Sequence, residues 1–225
     1  LLRCKMAAPI RFDFIDPRKR RPMEDALQSL SEALVLSMSR VLAIDAREVS
    51  AGFRFASQGG ENFADIFVYD TLSGGAGYAS EAGDRFEEIF EGAEKLLVDC
   101  DCDASCEKCL RHYGNRFHHT NLDRGLALDL ARYIRLGAIP QPIGASQMHK
   151  EIAPLADMLV MAGWTVASTA EGSLRATSSA VSMEVTLCPS LVDCEPRGIS
   201  NGVTCYTFTP YELMRDLAGA YSELA

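Results

Sequence analysis

Cys100, Cys102, Cys106 and Cys109 stand within ten residues in the spacing Cys-x-Cys-x-x-x-Cys-x-x-Cys, and they make up four of the eight cysteines in the chain. Thiolates are soft ligands, and the tight turns at both ends of this pattern let four sulfurs converge on one tetrahedral ion. The reading is a zinc knuckle. With all four positions filled by protein the site is structural, because a catalytic zinc keeps one position for water. Disulfides within so dense a cluster would be strained in most pairings. Spacing alone leaves an iron–sulfur cluster or another soft metal open. Of the remaining cysteines Cys4 stands alone. Cys188, Cys194 and Cys205 are too loosely spaced for a second site and read as core or surface thiols.

Two other stretches invite chemistry. Asp70-Thr71-Leu72-Ser73-Gly74-Gly75-Ala76-Gly77-Tyr78 joins a strand pattern to a helical one, and such a turn can hold an anion on backbone N–H groups. It lacks the Lys-Ser/Thr of a P-loop and the spacing of a dinucleotide fingerprint, so close backbone packing is the expectation. After the knuckle comes the basic segment Leu110-Arg111-His112-Tyr113-Gly114-Asn115-Arg116-Phe117-His118-His119. Lys108, Arg111, Arg116, His118, His119 and Arg124 are candidate nucleic-acid contacts, against a solvated rim or a protein interface. The His118-His119 pair is expected to face solvent or bond backbone, since four thiolates already satisfy a metal. No Walker lysine, Asp-Glu-x-His box, nucleophile elbow or open metal site is present. These residues are therefore expected to be noncatalytic.

The chain that positions these groups has 225 residues, 48% hydrophobic and 24% charged, enough for one large or two small cores. A net charge of −9 argues against autonomous, charge-driven DNA binding, though local cations can still reach phosphate. No apolar run spans a bilayer and no signal peptide is evident, so a reducing cytoplasm is expected. The opening Leu1-Leu2-Arg3-Cys4 reads as strand, as if within a longer protein. Residues 7–14 alternate around Ile10, Phe12 and Phe14, which predicts a strand. Arg18-Lys19-Arg20-Arg21 before Pro22 is expected as a solvated loop rather than a phosphate contact. Leu27, Leu30, Leu34, Met38 and Val41 predict one apolar face of a helix over 23–43. Strands over 48–56 and 64–69 form a hairpin, and a helix follows the glycine turn with Phe86, Ile89, Phe90, Ala93, Leu96 and Leu97 inward. Another begins at Asn121-Leu122-Asp123 and ends at Gly137.

Phe67-Val68-Tyr69-Asp70-Thr71-Leu72-Ser73-Gly74-Gly75-Ala76-Gly77-Tyr78-Ala79, the four cysteines with Leu110, Tyr113-Gly114-Asn115 and Leu122-Asp123-Arg124 together resemble the MrfA-type zinc-binding (MZB) domain, over residues 5–136. Such domains sit near the C-terminus of superfamily two DNA helicases, including repair helicases, and in helicase or helicase-partner subunits of phage-defence systems such as DISARM. The resemblance implies a structural zinc on Cys100, Cys102, Cys106 and Cys109. It implies helicase core domains or a helicase subunit as partner, and DNA, single-stranded or junction, as ligand. ATPase activity would lie in the parent protein or its partner. The Gly74-Gly75-Ala76-Gly77 turn matches without a chemical role attached.

The expected fold is α+β: a small mixed sheet with packed helices and the knuckle over 1–139, then a smaller α/β module over 140–225. In the second part a helix over 148–162, strands over 164–168, 173–177, 181–187 and 203–208, and a closing helix over 210–224 are expected. An α-β-β-β order with Glu184 on a strand faintly resembles restriction-type nucleases. The matching acidic pair and the Glu-x-Lys lysine are missing, so a docking or partner-binding module is the expectation and a degenerate or active nuclease the alternative.

Overall fold

Helix α1 (Pro17–Val41) is buried on nearly its whole circumference, from Pro22 to Met38. The computed structural model describes residues 1–13, 15–179, 181–200 and 202–224. These form two compact units, Leu1–Ile139 and Pro140–Ala225. In the first, α1 packs on one side against a three-stranded antiparallel sheet and on the other against α3 (Phe86–Val98) and α4 (Arg124–Leu136). A helix with neighbours on both sides needs more than the single apolar face its sequence suggests. Small side chains supply it: Ala26, Ser29, Ala33 and Ser37 are fully or almost fully buried. Ser37 Oγ donates to Ile89 O at 2.6 Å, where Gly92 of α3 comes so near that a Cβ would collide with that hydroxyl.

The sheet runs β1 (Leu2–Met6), β3 (Glu61–Asp70), β2 (Val49–Gln58). Gly59 and Gly60 join β2 to β3, both at positive φ (63° and 80°), the backbone that a two-residue hairpin requires. Cys4, Met6, Val49, Ala64 and Ile66 are buried. On the other face Asp65 is flanked in register by Arg3 and Arg54, which bond its carboxylate at 2.7 and 3.1 Å and hold its pKa at about 2.

Several expectations are corrected here. Residues 7–10 turn instead of extending, with Ile10 N bonded to Ala7 O, Pro9 has no N–H for a ladder, and 11–13 form no strand; Phe14 lies outside the described residues. The basic run is helix, not loop. Asp16 caps Arg18 N at 2.9 Å, Pro17 takes the first turn, and Arg20 pairs with Glu24 at 2.8 Å. The helix after the glycine turn divides into α2 (Tyr78–Asp84) and α3, because Arg85 leaves helical geometry and donates to Val41 O at 2.8 Å.

The second unit carries α5 (Ala145–Met161), β4 (Thr165–Ser168), β5 (Leu174–Thr177), β6 (Ser182–Leu187), β7 (Arg197–Ser200), β8 (Val203–Phe208), α6 (Pro210–Arg215) and α7 (Leu217–Leu224). Its sheet is ordered β4-β5-β6-β8-β7, with β6 and β8 parallel. Leu174, Ala176, Met183, Val185, Leu187 and Phe208 share a core with Ile152, Leu155 and Leu159 of α5 and Leu213 and Leu224 of the closing helices. The sequence did not suggest β7, a short edge strand with Gly198 at its centre. The closing helix breaks at Asp216, whose side chain accepts from Gly219 N at 2.9 Å. Cys188 and Cys194 form a disulfide with Cα atoms 6.7 Å apart, where thiols were expected. A turn closed by Val192 N to Pro189 O brings them together, and Cys205 stays free. Among the described residues no helix is long and apolar enough to cross a membrane.

Candidate metal centre and basic segment

Residues 100–109 follow α3 directly and wrap into a loop whose four sulfurs converge. Cys109 N, Leu110 N and Arg111 N all donate to Cys106 O at 3.0–3.1 Å, and Cys106 N donates to Cys109 Sγ at 3.2 Å. The Cys100 sulfur lies 3.5 Å from those of both Cys102 and Cys106, Cys102 to Cys109 is 3.7 Å, and Cys106 to Cys109 is 3.8 Å. Sulfurs at about 2.3 Å from a tetrahedral zinc stand about 3.8 Å from one another. Four of the six sulfur pairs thus stand near the spacing the ion requires, and all four sulfurs lie within 4.8 Å of each other. Burial pushes the Cys102 and Cys109 thiols up, while the backbone N–H of Lys108 holds Cys106 down. Zinc binds thiolates, so loading the site releases protons.

Arginines brace this loop from inside. Arg124 Nε donates to Cys102 O at 2.7 Å, its Nη1 to Leu97 O at 3.2 Å, and its backbone N to Ala104 O at 2.7 Å. Arg111 Nε donates to Ser105 Oγ at 2.9 Å. Both guanidiniums are half-buried and engaged with the knuckle. His119 is half-buried too, its Nε2 donating to His112 O and Asn115 Oδ1 at 3.1 and 2.9 Å. Lys108, Arg116 and His118 are exposed. Lys108 also lines a cleft of about 630 Å³ with Arg40, Lys95, Asp99 and Asp101. The six candidates therefore split into three that hold the segment and three that face solvent.

A polar seam on α1 fastens the basic segment, and the sequence reading missed it. Asp25, Ser29 and Glu32 fall four and three residues apart on one side of a helix otherwise apolar. Asp25 Oδ1 accepts from Asn121 Nδ2 at 2.9 Å, Ser29 Oγ from Asp123 N at 2.7 Å, and Glu32 Oε2 meets His112 Nε2 at 3.1 Å. His112 Nδ1 accepts from Gly114 N at 3.1 Å, so the ring proton sits on Nε2 and points at Glu32. Polar residues at helical spacing inside an apolar pattern were the available signal.

The glycine turn has its own anion. Asp70 Oδ2 accepts from Ala76 N and Gly77 N at 2.7 and 2.6 Å, and Oδ1 from Ala79 N at 2.8 Å, with Gly74, Gly75 and Gly77 at positive φ. The N–H groups that could hold a phosphate are filled by this carboxylate, whose pKa they lower, the Ala79 N–H most. The expected close backbone packing is not found, since residues 71–77 are exposed and a Cβ at Gly74 or Gly77 would meet nothing within 4 Å; the glycines instead supply the positive φ that wraps the turn around Asp70.

In the second unit Glu184 accepts from Ser173 Oγ at 2.6 Å and faces Arg175 in register, 3.4 Å away. A cation stands where a metal-dependent nuclease needs a second carboxylate. Among the described residues the four cysteines are the one group of three or more ligand side chains placed to hold a metal.

Residues 30–110 match the family model of the MrfA Zn-binding (MZB) domain. The Druantia protein DruE of Escherichia coli (strain UMEA 4076-1) is 34% identical over 199 residues, 86% of this chain. That is more than the first unit contains, so the similarity runs on into the second. The chain spans 11% of the length of DruE. The crystal structure of the DUF1998 helicase MrfA bound to DNA shares 24% identity over 49% of this chain and 14% of that one, with a TM-score of 0.38, an overlap too slight to argue from.

Proposed function

We infer that the chain, whose residues 30–110 match the MrfA Zn-binding domain and whose four clustered cysteines suit a structural zinc, is a noncatalytic accessory region of a DNA helicase or of its partner subunit. It braces the motor and contacts DNA. The observation that carries the DNA contact is the charge of residues 108–121. They hold Lys108, Arg111, Arg116 and three histidines and not one carboxylate, in a chain of net charge −9. The knuckle and the α1 seam hold this segment in place before any ligand arrives, which lowers the entropy lost on binding. Screening confines the repulsion from the rest of the chain to roughly 8–10 Å at physiological salt, so local cations prevail.

Lys108, Arg116 and His118 are the phosphate-facing side chains in this reading, with Arg111, His119 and Arg124 as their support. Helicase core domains or a helicase subunit are the protein partner. Phage defence is favoured over repair by the likeness to a Druantia protein, with DISARM-type systems the neighbouring setting. A cytoplasmic location suits thiolate ligands. The nuclease alternative loses support from the pairing of Glu184 with Arg175.

The test is binding of the zinc-loaded chain to single-stranded DNA across salt concentrations, with and without Lys108→Ala plus Arg116→Ala. Removing these two phosphate-facing cations should flatten the salt slope by about 1.4 units and weaken binding equally for all sequences. Unchanged affinity and slope would remove DNA from the proposal. The chain alone should also show no ATP turnover, and turnover above background would refute an accessory role.

A further inference from the structure

Tyr113 and Phe117 are large aromatic side chains that the fold leaves 82% and 78% exposed. They are not on a loose loop. Both sit on the 3-10 turn Tyr113–His118, closed by a capping box in which His112 Nδ1 accepts from Gly114 N and Asn115 Oδ1 from His112 N. Asn115, 3% exposed, donates to Leu110 O at 2.9 Å, and Glu32 and His119 fix the two ends of the turn. Between the rings lies Arg116, its guanidinium carbon 4.5 Å from the Tyr113 centroid and 4.4 Å from that of Phe117. The turn follows the zinc loop by three residues. It therefore offers two fixed, solvent-facing π surfaces with a permanent cation between them, inside the carboxylate-free segment.

We propose that Tyr113, Arg116 and Phe117 form a stacking platform for the bases of single-stranded nucleic acid. The proposal rests on the DNA-contacting reading above and adds what is recognised: unpaired bases rather than phosphate alone, and any base rather than a sequence. Aromatic rings stack on any base because every base has a π face, and a cation beside them draws in the backbone. Duplex bases are already stacked and do not present those faces. Local charge selects the occupant. A hydrophobic protein partner would be served by the rings, but not by a segment with three permanent cations and no acid, whereas a polyanion with flat apolar bases is served by both.

The experiment measures affinity of the zinc-loaded chain for an oligo-dT longer than about 16 nucleotides, an abasic strand of equal length and a blunt duplex, across salt. Tyr113→Ala and Phe117→Ala should each weaken oligo-dT binding about tenfold with the salt slope unchanged, since no charge is lost. Neither should alter binding of the abasic strand, which keeps every phosphate and has nothing to stack. Phe117→Trp should restore the oligo-dT affinity and Phe117→Leu should not. Retention of zinc in each variant shows that the turn is intact. If the ring variants bind oligo-dT like the parent while Lys108→Ala plus Arg116→Ala still flattens the slope, the platform falls and the phosphate contact stands. If the parent binds none of the strands, both fall and the rings belong to a protein interface.

Discussion

Removing the metal from the knuckle should disorder residues 100–109 without unfolding the first unit, and the size of the effect follows from the bonds that remain. Fixing ten residues costs about 1–2 kcal/mol each, on the order of 10–20 kcal/mol in all. Against this, the loop keeps the bonds from Arg124 N to Ala104 O, Arg124 Nε to Cys102 O and Arg111 Nε to Ser105 Oγ. Such bonds contribute about 1 kcal/mol each, or up to about 3 with a charged donor. The shortfall is about 10 kcal/mol, which is what a four-thiolate zinc supplies, about 10–16 kcal/mol near neutral pH. Segments on either side have separate support. Helix α3 packs on α1 through Ser37 and Gly92, and residues beyond the knuckle hold to Asp25, Ser29 and Glu32. Cys106→Ser should therefore lose zinc by metal analysis and lose amide-exchange protection over 100–109, while α1 and the β2–β3 hairpin stay protected. One zinc per chain with unchanged exchange across the loop would refute the argument, and collapse of protection in α1 would show that the knuckle is part of the core.

Two further outcomes follow from single carboxylates. Asp70→Ala leaves three N–H groups of the glycine turn without their acceptor, so the melting temperature should fall by about 2–4 °C, as for a lost helix cap. Because the folded pKa of Asp70 is lowered, the parent should lose this stabilisation as the pH falls below the ordinary carboxylate range, and the variant should not; parallel pH profiles of thermal melting would contradict it. Asp129 on α4 is the opposite case: burial lifts its pKa to about 6, with Arg132 pulling it down and Asp123 pushing it up. Its stabilising effect is complete below the unfolded value near 4 and lost as pH rises through 6, so the ionised form strains the fold at neutral pH. Asp129→Asn should stabilise the chain by about 1–2 kcal/mol at pH 8, after allowance for partial solvation, and by almost nothing at pH 4. A denaturation series showing equal effects at both values would remove the buried-charge explanation.

What was legible in the sequence was governed by neighbours a few residues away. The metal site is of this kind, because Cys100, Cys102, Cys106 and Cys109 need only two tight turns to meet. So are the Gly59-Gly60 hairpin, the Asp123 start and Gly137 end of α4, and the short strands β3, β6 and β8. The MZB resemblance was legible for the same reason, as it rests on short runs. Tertiary structure decided whatever depends on a partner far along the chain. Asp25, Ser29 and Glu32 look like breaks in an apolar face until Asn121, Asp123 and His112 arrive from 96, 94 and 80 residues away. Arg124 reads as a surface cation until the fold brings Cys102 O and Leu97 O to it. Arg85 interrupts a continuous helical pattern at the point where its guanidinium reaches a carbonyl of α1, 44 residues away. A sequence records how a backbone is inclined to turn. Which buried polar groups satisfy one another is settled only when packing excludes water and leaves each of them the partners within reach.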